Sequence, residues 1–160
     1  MKNLIAFIFL LMFISVSAQR NAEMNWMSFE QLEDSLRQKP KKTLVYFYAD
    51  WCVYCKKMDR NAFKNSAVVE KINREFYAVK MNAETTDTVY FDGIKFYNDE
   101  LEKKRNPTHQ LAKLLASRKE KAFALPALVL LDENFKVISR SFTYLTSESL
   151  QSFLASELSR

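Results

Sequence analysis

The sequence predicts an α/β fold, a mixed sheet of about four to five strands flanked by helices and carrying a hairpin-plus-helix insert. Two observations carry that prediction. Short β-branched and aromatic runs alternate along the chain with segments whose apolar residues recur at helical spacing, the pattern of strands crossed over by helices. The last two strand-like runs are separated only by Asp132 to Asn134, so they pair antiparallel and make the sheet mixed. Composition agrees with a packed interior: hydrophobic residues are 48% and aromatics 14%, with one glycine and three prolines. At 160 residues the chain suits one domain whose core needs no disulfide staples.

Each element has its own local reason. Ser28 and Gln31 form a capping box ahead of a helix over 28–38, with Phe29, Leu32 and Leu36 on one face. "KPKK" breaks it, and "TLVYFY" (43–48) reads as a buried strand. A helix is expected from Cys52 to Ala62. Asn65 or Ser66 caps the next, with Val68, Val69, Ile72 and Phe76 as its apolar stripe. "YAVKMN" (77–82) is the next strand. The insert, about residues 83–123, holds a hairpin at 89–96 turning on Asp92-Gly93, a type I′ signal. A basic loop at 102–105 leads to Pro107, after which Thr108 caps a helix with Leu111, Leu114 and Leu115 facing inward. Strands at 127–131 and 135–142 follow, and Thr146 starts a last helix with Leu150, Phe153, Leu154 and Leu158 on one face.

The N-terminus has a different character. Lys2 precedes the apolar "LIAFIFLLMFISV", and small residues lead up to Ala18. Residues 1–18 therefore read as a secretory signal peptide, leaving 19–160 as a single domain. An uncleaved anchor is the alternative, although a membrane span takes about 20 apolar residues. Export puts the thiols in an oxidising compartment, periplasmic or secreted. The net charge of +5 comes from lysines spread along the chain, with no basic stripe for nucleic acid.

The chain has two cysteines, Cys52 and Cys55, at the start of the second predicted helix. A structural zinc wants four cysteine or histidine ligands. Here His109 is the only histidine, and its position at a helix start reads as solvated surface. A copper site of both cysteines and His109 is a further alternative. A structural staple fits poorly, because closing so short a loop removes little chain entropy. Redox exchange uses the context best. The helix N-terminus stabilises a thiolate on Cys52, and Cys55, one turn further in, is placed to resolve a mixed disulfide. Lys56 and Lys57 add positive charge but point toward solvent. Met58 and Phe63 read as core.

"YADWCVYCKKM" (48–58) resembles the active-site stretch of thioredoxin, with Trp51 before the first cysteine. "YADWCVYCK" is similar to the motif of the periplasmic C-terminal domain of the transmembrane disulfide reductase DsbD and of related exported thioredoxin-like proteins. The order of elements from Thr43 to Ser159 matches the thioredoxin fold, interrupted by the insert. The resemblance implies a thiol-disulfide oxidoreductase with Cys52 and Cys55 catalytic, working without metal or organic cofactor. It also implies a cis-proline at Pro126 bordering Cys52 and a Leu125 backbone that pairs with an incoming peptide. Beside an exposed thiol, the aromatics Trp51 and Tyr54 read as partner contacts, with packing over the motif as the alternative for Trp51. Disulfide-containing exported proteins and an upstream dithiol or membrane electron donor are the implied partners, with the protein itself a monomer.

Two positions depart from the family. Tyr46 stands where thioredoxin keeps a buried aspartate, and a phenol is no base near neutral pH. Proton handling then falls to water, Asp50 or another carboxylate such as Glu84. Val53 and Tyr54 lie between the cysteines, with no histidine to stabilise the thiolate, and so the expected direction is reduction. The alternatives are an oxidant or isomerase, or a non-catalytic peptide- or metal-binding module. For the insert, a wall beside the active site and peripheral decoration stand side by side.

Overall fold

The computed structural model describes residues 23–156. The expected signal peptide at 1–18, and Leu158 and Ser159 at the other end, lie outside the described residues. In chain order the elements are β1 (Trp26–Met27), α1 (Phe29–Gln38), β2 (Thr43–Tyr48), α2 (Val53–Arg60), a 3-10 turn (Ala62–Lys64) and α3 (Ser66–Glu75). There follow β3 (Tyr77–Asn82), β4 (Val89–Phe91), β5 (Ile94–Phe96), α4 (Gln110–Ala116), β6 (Ala127–Leu131), β7 (Val137–Ser141) and α5 (Ser147–Ala155). Five strands form one sheet in the order β1-β3-β2-β6-β7, and β4 and β5 pair separately. β2 runs parallel to β3, while β6 is antiparallel to both β2 and β7. The mixed sheet and the inserted hairpin are those the sequence predicts.

The period of two in β2 and β6 divides the core. Leu44, Tyr46, Leu128 and Leu130 face Met58, Val68, Ile72, Leu150 and Leu154, the inner sides of α2, α3 and α5. Val45, Phe47, Val129 and Leu131 face Phe29 and Leu32 of α1 and Leu111 and Leu115 of α4. β2 and β6 are therefore covered on both sides, and their near-continuous apolar runs follow from that.

The caps are local and legible. Ser28 and Gln31 form the expected box, Asn65 accepts from the Val68 N–H, and Thr146 accepts from the Ser149 N–H. Asp92 and Gly93 both have positive φ, 52° and 69°, as a type I′ turn requires.

Four details correct the sequence reading. α4 is capped by His109, not Thr108, and it ends at Ala116. Leu114 is 63% exposed, because Ala112 and Ala116 complete the buried stripe with Leu111 and Leu115. β7 is shorter than expected, since Phe135 turns with φ 60° and packs on Phe91, 4.6 Å between rings. β1, two residues long, carries too little pattern to be read from sequence. Among the described residues, no helix is long and apolar enough to cross a membrane.

Candidate active site

Topology gathers the site at one end of the sheet. β2 and β3 are parallel, so both deliver their C-terminal ends there, and β6, antiparallel to β2, begins there. The segments that meet are thus Ala49–Val53 after β2, Ala83–Glu84 after β3, and Leu125–Pro126 before β6. The Leu125–Pro126 peptide is cis, as the resemblance implies. Pro126 is buried, and Leu125 is half-buried, packed on both core clusters.

Cys52 is the N-cap of α2, in extended backbone, and its Sγ accepts the Cys55 N–H at 3.2 Å. It is joined to Cys55 by a disulfide, with the two Cα atoms 5.2 Å apart. Both residues are buried, Cys52 at 3% and Cys55 at 1% exposure. Their neighbours are not. Trp51, Val53 and Tyr54 are 57%, 71% and 59% exposed and form an apolar rim around the disulfide. Tyr54 leans on Tyr144, ring centroids 6.0 Å apart, and the Lys57 ammonium sits 4.7 Å over the Tyr144 ring. Lys57 is therefore turned toward an aromatic face, not simply to solvent.

Tyr46 occupies the position under the motif. It is fully buried between Trp26 and Phe63, and its hydroxyl donates to the Cys55 carbonyl at 3.2 Å. Burial pushes its pKa far above that of a free phenol, with the Asp59 and Tyr48 charges acting in the same direction. Tyr46 is a donor that anchors the first turns of α2, and it cannot accept a proton. Beyond it, Lys80 pairs with Asp59 at 2.8 Å and lies over the Tyr48 ring at 4.8 Å and the Tyr46 ring at 5.6 Å. Asp59 follows Cys55 by four residues on α2, a spacing the sequence reading passed over.

The two carboxylates nearest the motif are differently engaged. Asp50 accepts a long 3.5 Å bond from Asn82 Nδ2. Glu84 Oε1 accepts from the Trp51 indole N–H at 2.9 Å and from Asn106 Nδ2 at 3.0 Å. Glu84 thus connects the motif to the insert. Nothing in the sequence signals its Asn106 partner, which lies 22 positions away. An open cleft of about 790 Å³ beside the motif is lined by Trp51, by Leu125 next to Pro126, and by Glu84, Lys104, Arg105 and Asn106 of the insert. The insert is therefore a wall of the site.

His109 contradicts its expected solvation. It is fully buried, its Nδ1 accepts the Leu111 N–H at 3.2 Å, and its own N–H donates to the Ala83 carbonyl at 2.8 Å. Burial holds its pKa below the ordinary histidine value. It fastens the insert to the end of β3. Among the described residues, no group of three or more His, Cys, Asp or Glu side chains is arranged to hold a metal ion.

The sequence matches the model of the thioredoxin-like domain over residues 29–156. No curated protein sequence matches it significantly. Among solved structures it is similar to a DsbH oxidoreductase, with 20% identity, 91% of each chain covered and a TM-score of 0.60. It is also similar to a disulphide isomerase from Xylella fastidiosa Temecula1, at 18% identity over 86% of this chain and 98% of that one, TM-score 0.55. The C-terminal domain of DsbD from Neisseria meningitidis, in its oxidised form, aligns at 16% identity over 79% of this chain and 90% of that one, TM-score 0.52. A Cys-x-x-Cys disulfide at the head of α2 in this fold supports thiol-disulfide oxidoreductase activity. The family match spans both cysteines and the insert, and the chain belongs to the thioredoxin-like domain family.

Proposed function

We propose that this protein is an exported thiol-disulfide oxidoreductase that exchanges disulfides with other exported proteins. The observation that carries the reading is the placement of Cys52 at the N-cap of α2, bonded to Cys55 and ringed by exposed Trp51, Val53 and Tyr54. In the reduced protein the helix N-terminus stabilises the Cys52 thiolate. That thiolate attacks one sulfur of a substrate disulfide, the substrate S–S bond breaks, and one substrate thiolate leaves and takes a proton. Cys55, deprotonated, then attacks Cys52 Sγ. The mixed disulfide breaks, the second substrate thiol is released, and two electrons have passed from the dithiol to the substrate, leaving Cys52–Cys55 oxidised. No metal or organic cofactor enters these steps.

The direction of exchange is the finer question. Net reduction, expected from the Val53-Tyr54 pair, needs an upstream dithiol or membrane electron donor in an oxidising compartment. Isomerisation uses the same Cys52 attack and returns the electrons within one substrate. The name of the similar disulphide isomerase supports that second direction better than net reduction. Export rests on the signal-like residues 1–18, and the protein is proposed to act as a monomer.

The test is a trapping experiment with Cys55→Ser. Mixed disulfides to exported proteins should accumulate through Cys52 and disappear in Cys52→Ser. A Cys55→Ser protein that captures no partner, with insulin reduction unaffected by either change, sinks the reading. Tight stoichiometric metal binding by the dithiol would favour the binding module instead. Recovery of a scrambled protein without net thiol consumption reports isomerisation. A reduction potential near about −120 mV would mark an oxidant.

A further inference from the structure

Resting on the oxidoreductase reading, we propose that the insert selects the substrate: the cleft beside the disulfide takes an extended segment that carries an acidic side chain close to its cysteine, and Arg105 reads that charge.

Two unlike segments line the cleft. In one, Phe123, Ala124 and Leu125 run up to Pro126 without regular structure, and no hydrogen bond among the described residues engages their backbone. Unpaired backbone N–H and C=O groups are free to pair with an incoming extended chain. The other brings Lys104 and Arg105. The charges of that segment are not equivalent. Lys104 is tied to Glu100 at 2.7 Å, whereas Arg105 is exposed and makes no ion pair among the described residues. Glu84, the acid of the cleft, keeps its charge, but its Oε1 is engaged by two neutral donors, Trp51 and Asn106. Arg105 is the cation of the cleft lining without an ion pair among the described residues, and its planar fork suits a carboxylate.

The wall that carries Arg105 is built, although it lacks regular structure. Asn98, 5% exposed, donates to the Thr85 and Pro107 carbonyls, both at 3.2 Å, and closes the base of the loop. The Glu100 carboxylate accepts the Thr108 N–H at 3.0 Å and also holds Lys104 and Lys113, at 2.7 and 3.3 Å. Asn106, next to Arg105, is bonded to Glu84 and through it to Trp51. A charge held on such a loop costs little ordering when a peptide arrives, so it discriminates between partners.

The experiment uses three disulfide-linked peptides that differ only beside the half-cystine, with Glu, Gln or Lys. The wild-type protein should show kcat/KM roughly two- to fivefold higher for the Glu peptide than for the Gln peptide, a preference that salt removes. Arg105→Gln should abolish the ratio, and Arg105→Glu should invert it toward the Lys peptide. Because each ratio is taken within one protein, a general loss of activity cancels. Equal kcat/KM for all three peptides in the wild type, or a preference unchanged in Arg105→Glu, overturns the proposal. If no peptide and no small uncharged disulfide is exchanged at all, the oxidoreductase reading falls and this inference falls with it.

Discussion

Glu84 accepts two hydrogen bonds on a single oxygen, from the Trp51 indole and from Asn106, so the rim of the disulfide and the insert wall share one carboxylate. A charged acceptor strengthens each bond, while a neutral carbonyl oxygen in the same place can still accept both. Glu84→Gln keeps an acceptor oxygen at the same reach; Glu84→Ala removes it. Glu84→Ala should therefore raise KM for protein disulfides several-fold and shift Trp51 fluorescence, while Glu84→Gln should restore most of both. Equal behaviour of the two variants would mean that the carboxylate's charge, and not the latch, governs the site. Tyr46 shows the opposite kind of substitution. Its hydroxyl holds the Cys55 carbonyl, and its raised pKa leaves it a donor at every pH the protein meets. The motif alone reveals that a tyrosine stands there; what it bonds depends on α2 crossing over β2, which no local pattern states.

At the scale of elements, α4 measures how well periodicity can be trusted. Its leucines alone suggest Leu111, Leu114 and Leu115 facing inward, yet Leu114 is 63% exposed and Leu115 5%. Alanine fills the stripe: Ala112 and Ala116 are fully buried in the same cluster as Leu111 and Leu115, and such small side chains are undervalued by a hydrophobicity count. Leu115→Ala should cost about 2–4 kcal/mol in denaturant unfolding, and Leu114→Ala within about 0.5 kcal/mol. Strands β2, β3 and β6, the capping box at Ser28 and the hairpin turn are legible because each is decided locally, by alternation, a cap or a positive-φ pair. β1 and the burial of His109 are not, because both are decided by what the insert and β3 bring against them. His109 supplies a pH test. Burial lowers its pKa, the Lys113 charge acts with it, and backbone groups of Asp87 and Phe96 and the Asp87 charge oppose it. Below its ordinary value of 6.5 the unfolded chain binds a proton that the folded chain refuses, so stability is full above that pH and falls beneath it until the folded pKa is passed. The melting temperature of the wild type should drop from pH 7 toward pH 5 more steeply than that of His109→Gln. Parallel curves would remove His109 from the acid response.

For the whole molecule, the question is what reduction of the disulfide does to the fold. The two halves of the core are built from β2, β6 and the helices on each face, and the disulfide lies at the edge of one of them. Chain entropy assigns so short a loop at most about 2 kcal/mol of stabilisation. The reduced state has compensations of its own: a Cys52 thiolate at the head of α2 gains from the helix N-terminus, and Tyr46 still holds the Cys55 carbonyl. Reduction should therefore leave a folded protein that unfolds cooperatively, within about 2 kcal/mol of the oxidised form. The difference between the two unfolding free energies also reports direction. Linkage requires that a reduced form stabilised relative to the oxidised one makes the disulfide more oxidising, by about 30 mV for each 1.4 kcal/mol. Denaturant curves of both forms at pH 7 yield the sign directly. An oxidised form more stable than the reduced one argues for a reductant, and a reduced form that is the more stable argues for an oxidant or isomerase. Loss of cooperative unfolding on reduction would mean that the disulfide is a structural staple, and exchange chemistry at Cys52 would then be excluded as its role.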